Sequence, residues 1–306
     1  MRRRLALLCP GQGAQHANMF SVLGQPVDEA LLRDWGLNDA LGRPLANVLA
    51  DPALQSTNRI AQPLLVAATL AAWHVVKDLL PMPALVAGYS VGELSAHAVA
   101  GSLDGRAALH LAAARAEAMD TCRNGQPPQA MMAVSGLGAA ALAARLPAGR
   151  AYIAIYTGAA SFVVAGWAEA MPALERAVRD AGAQATPLSV QVASHTPLMA
   201  GAVQAVYGLL CGNRFDAPRT PVLAGVSGEL LTDVAAARHA LSRQVAEPIH
   251  WDDCMDAVVE AGVDRVLELG PGTALARMFH ARHPQLACRS VADFRTVEGL
   301  RRWIDR

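Results

Sequence analysis

The chain has 306 residues, 53% of them hydrophobic, and its 26 basic side chains balance 26 acidic ones. This length suits one large domain, or a large domain that carries a smaller insert. A formal charge of zero excludes a global field that would attract nucleic acid or an anionic membrane, so we expect neither partner.

The five cysteines form no C-x-x-C pair, which argues against a zinc site and a disulfide framework. We therefore expect no metal, no bound cofactor and a cytoplasmic location. Arg2, Arg3 and Arg4 precede an apolar run that Cys9-Pro10 ends too early for a signal peptide. Later apolar stretches contain His, Lys or Pro, so we expect none to span a membrane.

The run from Leu5 to Cys9 predicts a buried parallel strand, followed by the glycine-rich turn PGQGAQ at residues 10–15. Such a turn presents backbone N–H groups at the carboxyl end of a strand, where open α/β sheets bind ligands. It contains neither the dinucleotide pattern nor a Walker lysine. It is therefore an anion-binding loop or a plain glycine turn.

Residues 21–58 are turn-rich with short helical patterns, and Gln62-Pro63 predicts the start of a helix that reaches Leu80. A second apolar strand, Leu85 to Gly88, then passes through Gly-x-Ser-x-Gly into an alanine-rich helix. This pattern is typical of a nucleophile elbow, which lifts the Ser90 hydroxyl off the sheet beside the first free N–H groups of the helix.

The next helix is predicted from Asp104 to about Asn124, and it carries Arg115 on its apolar side. A guanidinium that faces a core needs an anionic partner. This partner is either a structural carboxylate, with Glu93 as a candidate, or a substrate carboxylate held by the guanidinium fork.

Residues 127–193 show the pattern βαββαβ, which is ferredoxin-like. We predict that they form a small domain inserted in a large α/β domain made of residues 1–126 and 194–306. Strands that alternate with helices through the rest of the chain predict a parallel sheet covered on both faces, with a core like that of the α/β-hydrolases.

Serine chemistry needs a base, and most of the nine histidines lie on helical patterns beside charged residues. His195 differs because it occupies a short loop where the predicted insert ends, and substrate clefts often form at such junctions. The sequence assigns no carboxylate as the third member of a triad. A backbone carbonyl is an alternative that would also orient the imidazole.

These separate signals occur in the order and spacing of one family, the malonyl-CoA:acyl carrier protein transacylases, which the chain resembles over nearly its whole length. The motifs that carry the resemblance are PGQGAQ at 10–15, GYSVGE at 88–93, Arg115, Ser194-His195, Gln244 before Glu247-Pro248, and ELGPG at 268–272.

The resemblance implies a ping-pong transfer in which Ser90, with His195 as general base, takes a malonyl group from malonyl-CoA. The group then passes to a phosphopantetheine-type thiol of an acyl carrier protein. The resemblance also implies that the backbone N–H groups of Gln12 and Val91 form the oxyanion hole. Arg115 would bind the malonyl carboxylate, and the backbone carbonyl of Gln244 would orient His195.

Three positions depart from the family's pattern: Tyr89 replaces a usual His, Ala14 a usual Ser, and Glu247 a usual Asn. In these respects the chain looks most like the malonyl transferase (epsilon) subunit of bacterial malonate decarboxylase, which we favour over the enzyme of fatty-acid or polyketide synthesis. Ala193-Ser194-His195 also resembles the motif of polyketide acyltransferase domains that accept methylmalonate, so the acyl group stays open.

Two rivals come from other classes. A serine hydrolase of the α/β-hydrolase type would take its histidine from near the end of the chain, where His280 and His283 lie. The second rival is a noncatalytic interaction module that retains the fold.

Overall fold

The structure, a computed structural model, describes residues 4–306. Met1, Arg2 and Arg3 lie outside the described residues, and the signal-peptide question falls partly on them. The strands are β1 (Leu5–Cys9), β2 (Ser21–Val22), β3 (Gln25–Pro26), β4 (Leu85–Gly88), β5 (Gln129–Ser135), β6 (Ala151–Gly158), β7 (Ser161–Trp167), β8 (Gln184–Leu188), β9 (Val222–Leu223), β10 (Leu230–Leu231), β11 (Ile249–His250), β12 (Arg265–Glu268) and β13 (Ala287–Ser290). The α-helices are α1 (Glu29–Asp34), α2 (Leu37–Leu41), α3 (Leu45–Leu49), α4 (Pro52–Gln55), α5 (Asn58–Val76), α6 (Gly92–Val99), α7 (Gly105–Arg123), α8 (Ala139–Ala143), α9 (Met171–Asp180), α10 (Ala200–Gly212), α11 (Val234–Arg243), α12 (Trp251–Glu260), α13 (Ala274–Arg282) and α14 (Val297–Asp305).

The larger sheet has six strands in the order β10-β9-β4-β1-β12-β13, and all neighbours are parallel except β10 and β9. Its central strand β1 is buried along its whole length. Leu5 and Leu7 belong to one hydrophobic cluster, whereas Ala6 and Leu8 belong to another. Because side chains alternate across a strand, both faces of the sheet are covered. The predicted parallel sheet is therefore confirmed.

The second sheet has the strand order β11-β6-β7-β5-β8, and its elements from β5 to β8 follow the chain order βαββαβ. Its fifth strand, β11, comes from residues 249–250 and pairs parallel with β6. Met131 and Ile155 of this sheet share a hydrophobic cluster with Leu8 and Leu223 of the larger sheet. The proposed domain boundaries at 127 and 193 stay a prediction, and the packing across them is continuous.

Helix α5 begins four residues earlier than the sequence indicated, because Ile60 and Ala61 already donate to the carbonyl of Thr57. Pro63 thus lies inside the helix, where it removes one backbone donor. Among the described residues, Asn58–Leu79 is the one helical segment long and apolar enough to cross a membrane, and 78% of its most apolar part is buried within the protein. The expectation that no apolar stretch is long enough to span a membrane was wrong. Burial in the protein core explains why this segment is apolar.

The elbow depends on glycine at two positions. A Cβ on Gly88 would lie 2.3 Å from the backbone nitrogen of Glu93, and a Cβ on Gly92 would lie 2.1 Å from the carbonyl oxygen of Cys9. The glycine-rich turn after β1 also lies close to the elbow, since a Cβ on Gly11 would lie 2.6 Å from the Tyr89 carbonyl oxygen. The end of β1 therefore packs directly on the elbow between β4 and α6.

We expect Gly92→Ala to destabilise the protein by at least about 2 kcal/mol, because backbone atoms would have to move to admit the methyl group. Urea unfolding of the variant and the wild type measures this difference. Gly208→Ala is the matched control. Nothing lies within 4 Å of its added Cβ inside α10, so it should be neutral or stabilise by up to about 1 kcal/mol. Equal losses in both variants would contradict the close approach at the elbow.

Candidate active site

Ser90 occupies the tip of the elbow with a φ of +56°, in the left-handed region that non-glycine residues rarely adopt. The carbonyl of Tyr89 accepts from Gly92 N–H at 3.0 Å, and that of Ser90 accepts from Glu93 N–H at 3.0 Å. These bonds hold the strained turn that opens α6. The Ser90 side chain is half-buried and its Oγ lies 2.8 Å from Nε2 of His195.

His195 is also held at positive φ, at +63°, in the short loop after β8. Its backbone N–H donates to the Val245 carbonyl at 2.8 Å, and its Nδ1 lies 2.6 Å from the Gln244 carbonyl oxygen. Because a carbonyl can only accept, Nδ1 carries the proton and Nε2 offers its lone pair to the Ser90 hydroxyl. The arrangement can deprotonate the serine without a third carboxylate.

Burial keeps this imidazole neutral. His195 is 1% exposed, and desolvation together with the nearby Arg115 charge lowers its pKa to about 3, against a smaller opposite effect of the Gln244 carbonyl. A neutral imidazole at neutral pH is the form that accepts a proton.

Helix α7 carries Arg115 into the same site, and Asp104 caps this helix through Ala107 N–H as predicted. Arg115 is 4% exposed and donates from Nη1 to Gln62 Oε1 at 2.7 Å and from Nη2 to Gln244 Oε1 at 3.2 Å. Burial lowers its pKa to about 10, so the guanidinium remains a cation at neutral pH.

Glu93 was considered above as the structural partner of Arg115. The two side chains are separated by one amide group. Its Oε2 accepts from Gln244 Nε2 at 2.5 Å and from Gly225 N–H at 3.0 Å. Burial raises the pKa of Glu93 to about 7, while these two donors and the Arg115 charge act in the opposite direction. The direct ion pair that the sequence suggested is replaced by a carboxylate, amide and guanidinium in series.

The two backbone amides expected to form an oxyanion hole belong to loops that pack on each other. The Cβ position of Gly11 lies 3.4 Å from Ser90 Cβ, which brings the turn before Gln12 against the nucleophile. The first bonds of the elbow come from Gly92, Glu93 and Leu94 N–H groups. Within residues 4–306, the hydrogen bonds leave the N–H groups of Gln12 and Val91 unused. Their role stays a prediction.

The remaining singled-out residues have local contacts. The Tyr89 ring packs edge-on against Trp251 with centroids 5.3 Å apart, which agrees with a packing role. Glu247 forms an ion pair with Arg243 at 2.6 Å. His283 Nε2 lies 2.9 Å from an Asp256 oxygen. The histidine that contacts the serine is thus the one in the loop after β8, and His283, one of the two chain-end histidines of the hydrolase hypothesis, has another partner.

Sequence reasoning missed Gln62, which it used only as a helix start, and Asn58. Gln62 Nε2 donates to Asn58 Oδ1 at 2.7 Å, one helical turn earlier, and both side chains are buried. Two amides four residues apart on a long apolar helix were the available signal, because buried polar groups need partners.

Two further groups of polar residues lie in the part of the chain that the structure describes. Gln12 also lines a cavity of about 230 Å³ whose wall includes Arg59 and Arg123. A metal site needs several ligand atoms close together. Among residues 4–306, His250, Asp252 and Asp253 are the one group of three or more His, Cys, Asp or Glu residues whose ligand atoms all lie within 4.8 Å of one another. His250 instead stacks on the Tyr156 ring, with centroids 4.8 Å apart.

An acyltransferase is the class that fold and site define. Residues 6–297 match the acyl transferase domain family, and the chain belongs to it. It is 32% identical over 282 residues to the malonyl CoA-acyl carrier protein transacylase of Salmonella typhimurium, covering 89% of this chain and 90% of that protein. It is 34% identical over 283 residues to polyketide synthase GfsB of Streptomyces halstedii, covering 90% of this chain and 5% of that protein. A solved holo complex of a type II PKS acyl-carrier protein with its malonyl-transacylase aligns with a TM-score of 0.87 and 29% identity, covering 96% of this chain and 98% of the solved one.

We expect acylation of Ser90 by 4-nitrophenyl acetate to keep a constant rate from about pH 8 down to about pH 5. An ordinary imidazole would protonate around pH 6.5, whereas the folded-state pKa of His195 is lowered to about 3, so the base stays neutral over this range. Mass spectrometry of the acetyl-enzyme in rapidly quenched samples gives the rate. A decline centred near the ordinary histidine pKa would show that the imidazole is solvated.

Stability is the control for this measurement. The pKa values of His97 and His195 are both lowered to about 3 by burial, so the unfolded chain takes up protons first as the pH falls below 6.5. The raised pKa of Glu93 acts in the opposite direction, but two buried imidazoles outweigh one carboxyl, so the free energy of unfolding decreases with acidification over that window. Circular dichroism at each pH identifies the range in which the rates refer to folded protein.

Proposed function

We propose that this protein transfers a malonyl group from malonyl-CoA to the thiol of an acyl carrier protein through a malonyl-Ser90 intermediate. The observation that carries the proposal is the Ser90–His195–Gln244 hydrogen-bond series beside a buried cation, Arg115. The names of the relatives support the donor and the acceptor, and the malonyl-transacylase complex with its carrier protein supports the partner.

The transfer takes two steps, and each step forms a tetrahedral intermediate at the acyl carbon. In the first, Ser90 Oγ bonds to the thioester carbon while its proton moves to His195 Nε2, and the C–S bond then breaks as CoA sulfur takes that proton. In the second, a carrier thiol gives its proton to Nε2, its sulfur attacks the ester carbon, and Ser90 Oγ leaves with the proton. The Gln12 and Val91 N–H groups would stabilise the oxyanion in each step.

We propose a carrier protein of fatty-acid or polyketide synthesis as the acceptor, because a malonyl CoA-acyl carrier protein transacylase and a polyketide synthase align over 89% and 90% of this chain. The malonate decarboxylase carrier, which the sequence analysis favoured, rests on Tyr89, Ala14 and Glu247. Each of these residues has a local contact. Tyr89 packs against Trp251, and Glu247 forms an ion pair with Arg243. Ala14 lies against the ELGPG turn, where a Cβ added to Gly272 would lie 2.7 Å from the Cβ of Ala14. The three residues therefore say little about the carrier.

Incubation with malonyl-CoA should add one malonyl group to the wild-type protein, and Ser90→Ala should abolish this adduct because, among residues 4–306, Ser90 is the hydroxyl that lies against Nε2 of His195. Intact-mass and peptide mass spectrometry locate the group. Ser95→Ala is the matched control, since Ser95 is a buried serine on the same helix α6 and outside the site. An adduct that survives in Ser90→Ala would mean another nucleophile or a noncatalytic module.

Addition of carriers to the isolated malonyl-enzyme completes this test. Transfer to a carrier of fatty-acid or polyketide synthesis supports the proposal. Transfer only to the malonate decarboxylase carrier would restore that assignment. Loss of malonate to water at the same rate without any thiol would identify a hydrolase.

Arg115→Ala should reduce malonyl transfer far more than acetyl transfer, because only the malonyl group has a second carboxylate. Loss of a charge-assisted contact corresponds to about 2 to 4 kcal/mol in transition-state binding. The kcat/KM values for malonyl-CoA and acetyl-CoA measure it, with the exposed Arg33→Ala as a control for charge alone. Parallel losses for both acyl groups would refute the role of Arg115, and methylmalonyl-CoA in the same assay defines the acyl preference.

A further inference from the structure

Two neutral amides from distant parts of the chain hold the Arg115 guanidinium. Nη1 donates to Gln62 on α5 and Nη2 to Gln244 after α11, at 2.7 and 3.2 Å, and both glutamines are 1% exposed. A guanidinium has five N–H groups, so each terminal nitrogen keeps one for a further acceptor. Amide oxygens orient the cation without cancelling its charge.

The orientation of each amide is itself fixed on the side away from Arg115. Glu93 Oε2 is fixed as an acceptor because the Gly225 N–H donates to it, so it accepts from Nε2 of Gln244 and turns the Gln244 oxygen toward the guanidinium. On the other side, Asn58 Nδ2 donates to the Ala116 carbonyl and to an Asp120 oxygen, at 3.1 and 3.0 Å. The Asn58 oxygen is thereby left to accept from Gln62, whose own oxygen then faces Arg115.

We propose that Gln62 and Glu93 are positioning residues that set the acyl preference of the enzyme, by holding Arg115 through amide oxygens alone so that its charge is left for the carboxylate of the incoming acyl group. This inference rests on the proposed malonyl transfer and deepens it. Glu93 is buried and close enough to fix the Gln244 amide, yet the amide separates it from the cation. A carboxylate in direct contact would form an ion pair and compete with the substrate.

Acyl preference separates this role from a merely structural one. An acetyl group reacts with Ser90 and His195 but offers Arg115 nothing to bind. A tilted or neutralised guanidinium therefore weakens malonyl transfer selectively, whereas general loosening of the site weakens both reactions. Gln62 and Glu93 suit this comparison better than Gln244, because the backbone carbonyl of Gln244 also orients His195.

The experiment compares kcat/KM for Ser90 acylation by malonyl-CoA and by acetyl-CoA in the full chain. Gln62→Met removes one amide oxygen and keeps the length of the side chain. We expect the malonyl-to-acetyl ratio to fall about ten- to a hundredfold, the effect of a lost hydrogen bond to a charged group. Glu93→Met keeps the length of the side chain but removes the oxygen that accepts from Gln244 Nε2 and Gly225 N–H, so the Gln244 amide is free to turn and the ratio should fall about tenfold.

Gln62→Glu is the decisive variant. It retains an oxygen at hydrogen-bond distance from Nη1 but brings a negative charge to the cation, so the ratio should fall at least as far as in Gln62→Met. If Gln62 only supported the fold, Gln62→Glu and Gln62→Met would weaken malonyl and acetyl transfer in parallel and keep the wild-type ratio, because both lose the bond to Asn58. Thr69→Val, on the buried part of the same helix α5 and outside the site, should keep the wild-type ratio.

The experiment distinguishes failure of the positioning role from failure of the proposed function. If wild-type protein forms no malonyl-Ser90, the function itself is wrong. If it does, and the Gln62 and Glu93 variants lose malonyl and acetyl transfer in parallel or keep the wild-type ratio, the positioning role is wrong. Thermal unfolding of each variant identifies any that are not folded, and the ratios of the folded variants then decide.

Discussion

The close approach between the end of β1 and the first turn of α6 is the constraint on which both the fold and the site depend. The carbonyl oxygens of Cys9 and Pro10 lie so near Gly92 that no side chain fits between them. Because the strand end and the helix start are in contact, the turn before Gln12 lies against Ser90, the residue before Val91. The predicted oxyanion hole of the Gln12 and Val91 N–H groups depends on this contact.

Charge is distributed in the site so that the base is neutral and the cation is not paired directly. Burial and the Arg115 charge both disfavour protonation of His195. A carbonyl on Nδ1 orients the ring while adding no formal charge, whereas a carboxylate at the same place would also attract the guanidinium. The same residue, Gln244, thus fixes the imidazole with its backbone and the guanidinium with its side chain. In the proposed function, acyl recognition by Arg115 and proton transfer by His195 therefore both depend on one residue, Gln244.

Local patterns predicted the local structure well. The apolar runs at β1 and β4, the glycines of the elbow, the Asp104 cap and the βαββαβ order all have periodicities or residue types with direct steric causes. The start of α5 was predicted wrongly because proline is common in first turns and Gln62-Pro63 therefore suggested a boundary. Hydrogen-bonded turns can begin before a proline when the lost donor costs less than the packing gained, as at Asn58–Val76.

Local sequence patterns could not predict the polar contacts of the site. The Arg115 partners Gln62 and Gln244 are 53 and 129 residues away in sequence, and the Glu93–Gln244 contact spans 151 residues. No period or composition encodes these pairings; only the folded topology brings them together. The sequence itself singled out Ser90, His195 and Arg115, and the resemblance to a family implied their roles. The physical reason that Ser90 and His195 meet is that both are held in left-handed backbone conformations by hydrogen bonds. Each residue is strained where the surrounding fold holds its backbone, so the hydroxyl and the imidazole face each other before any substrate arrives.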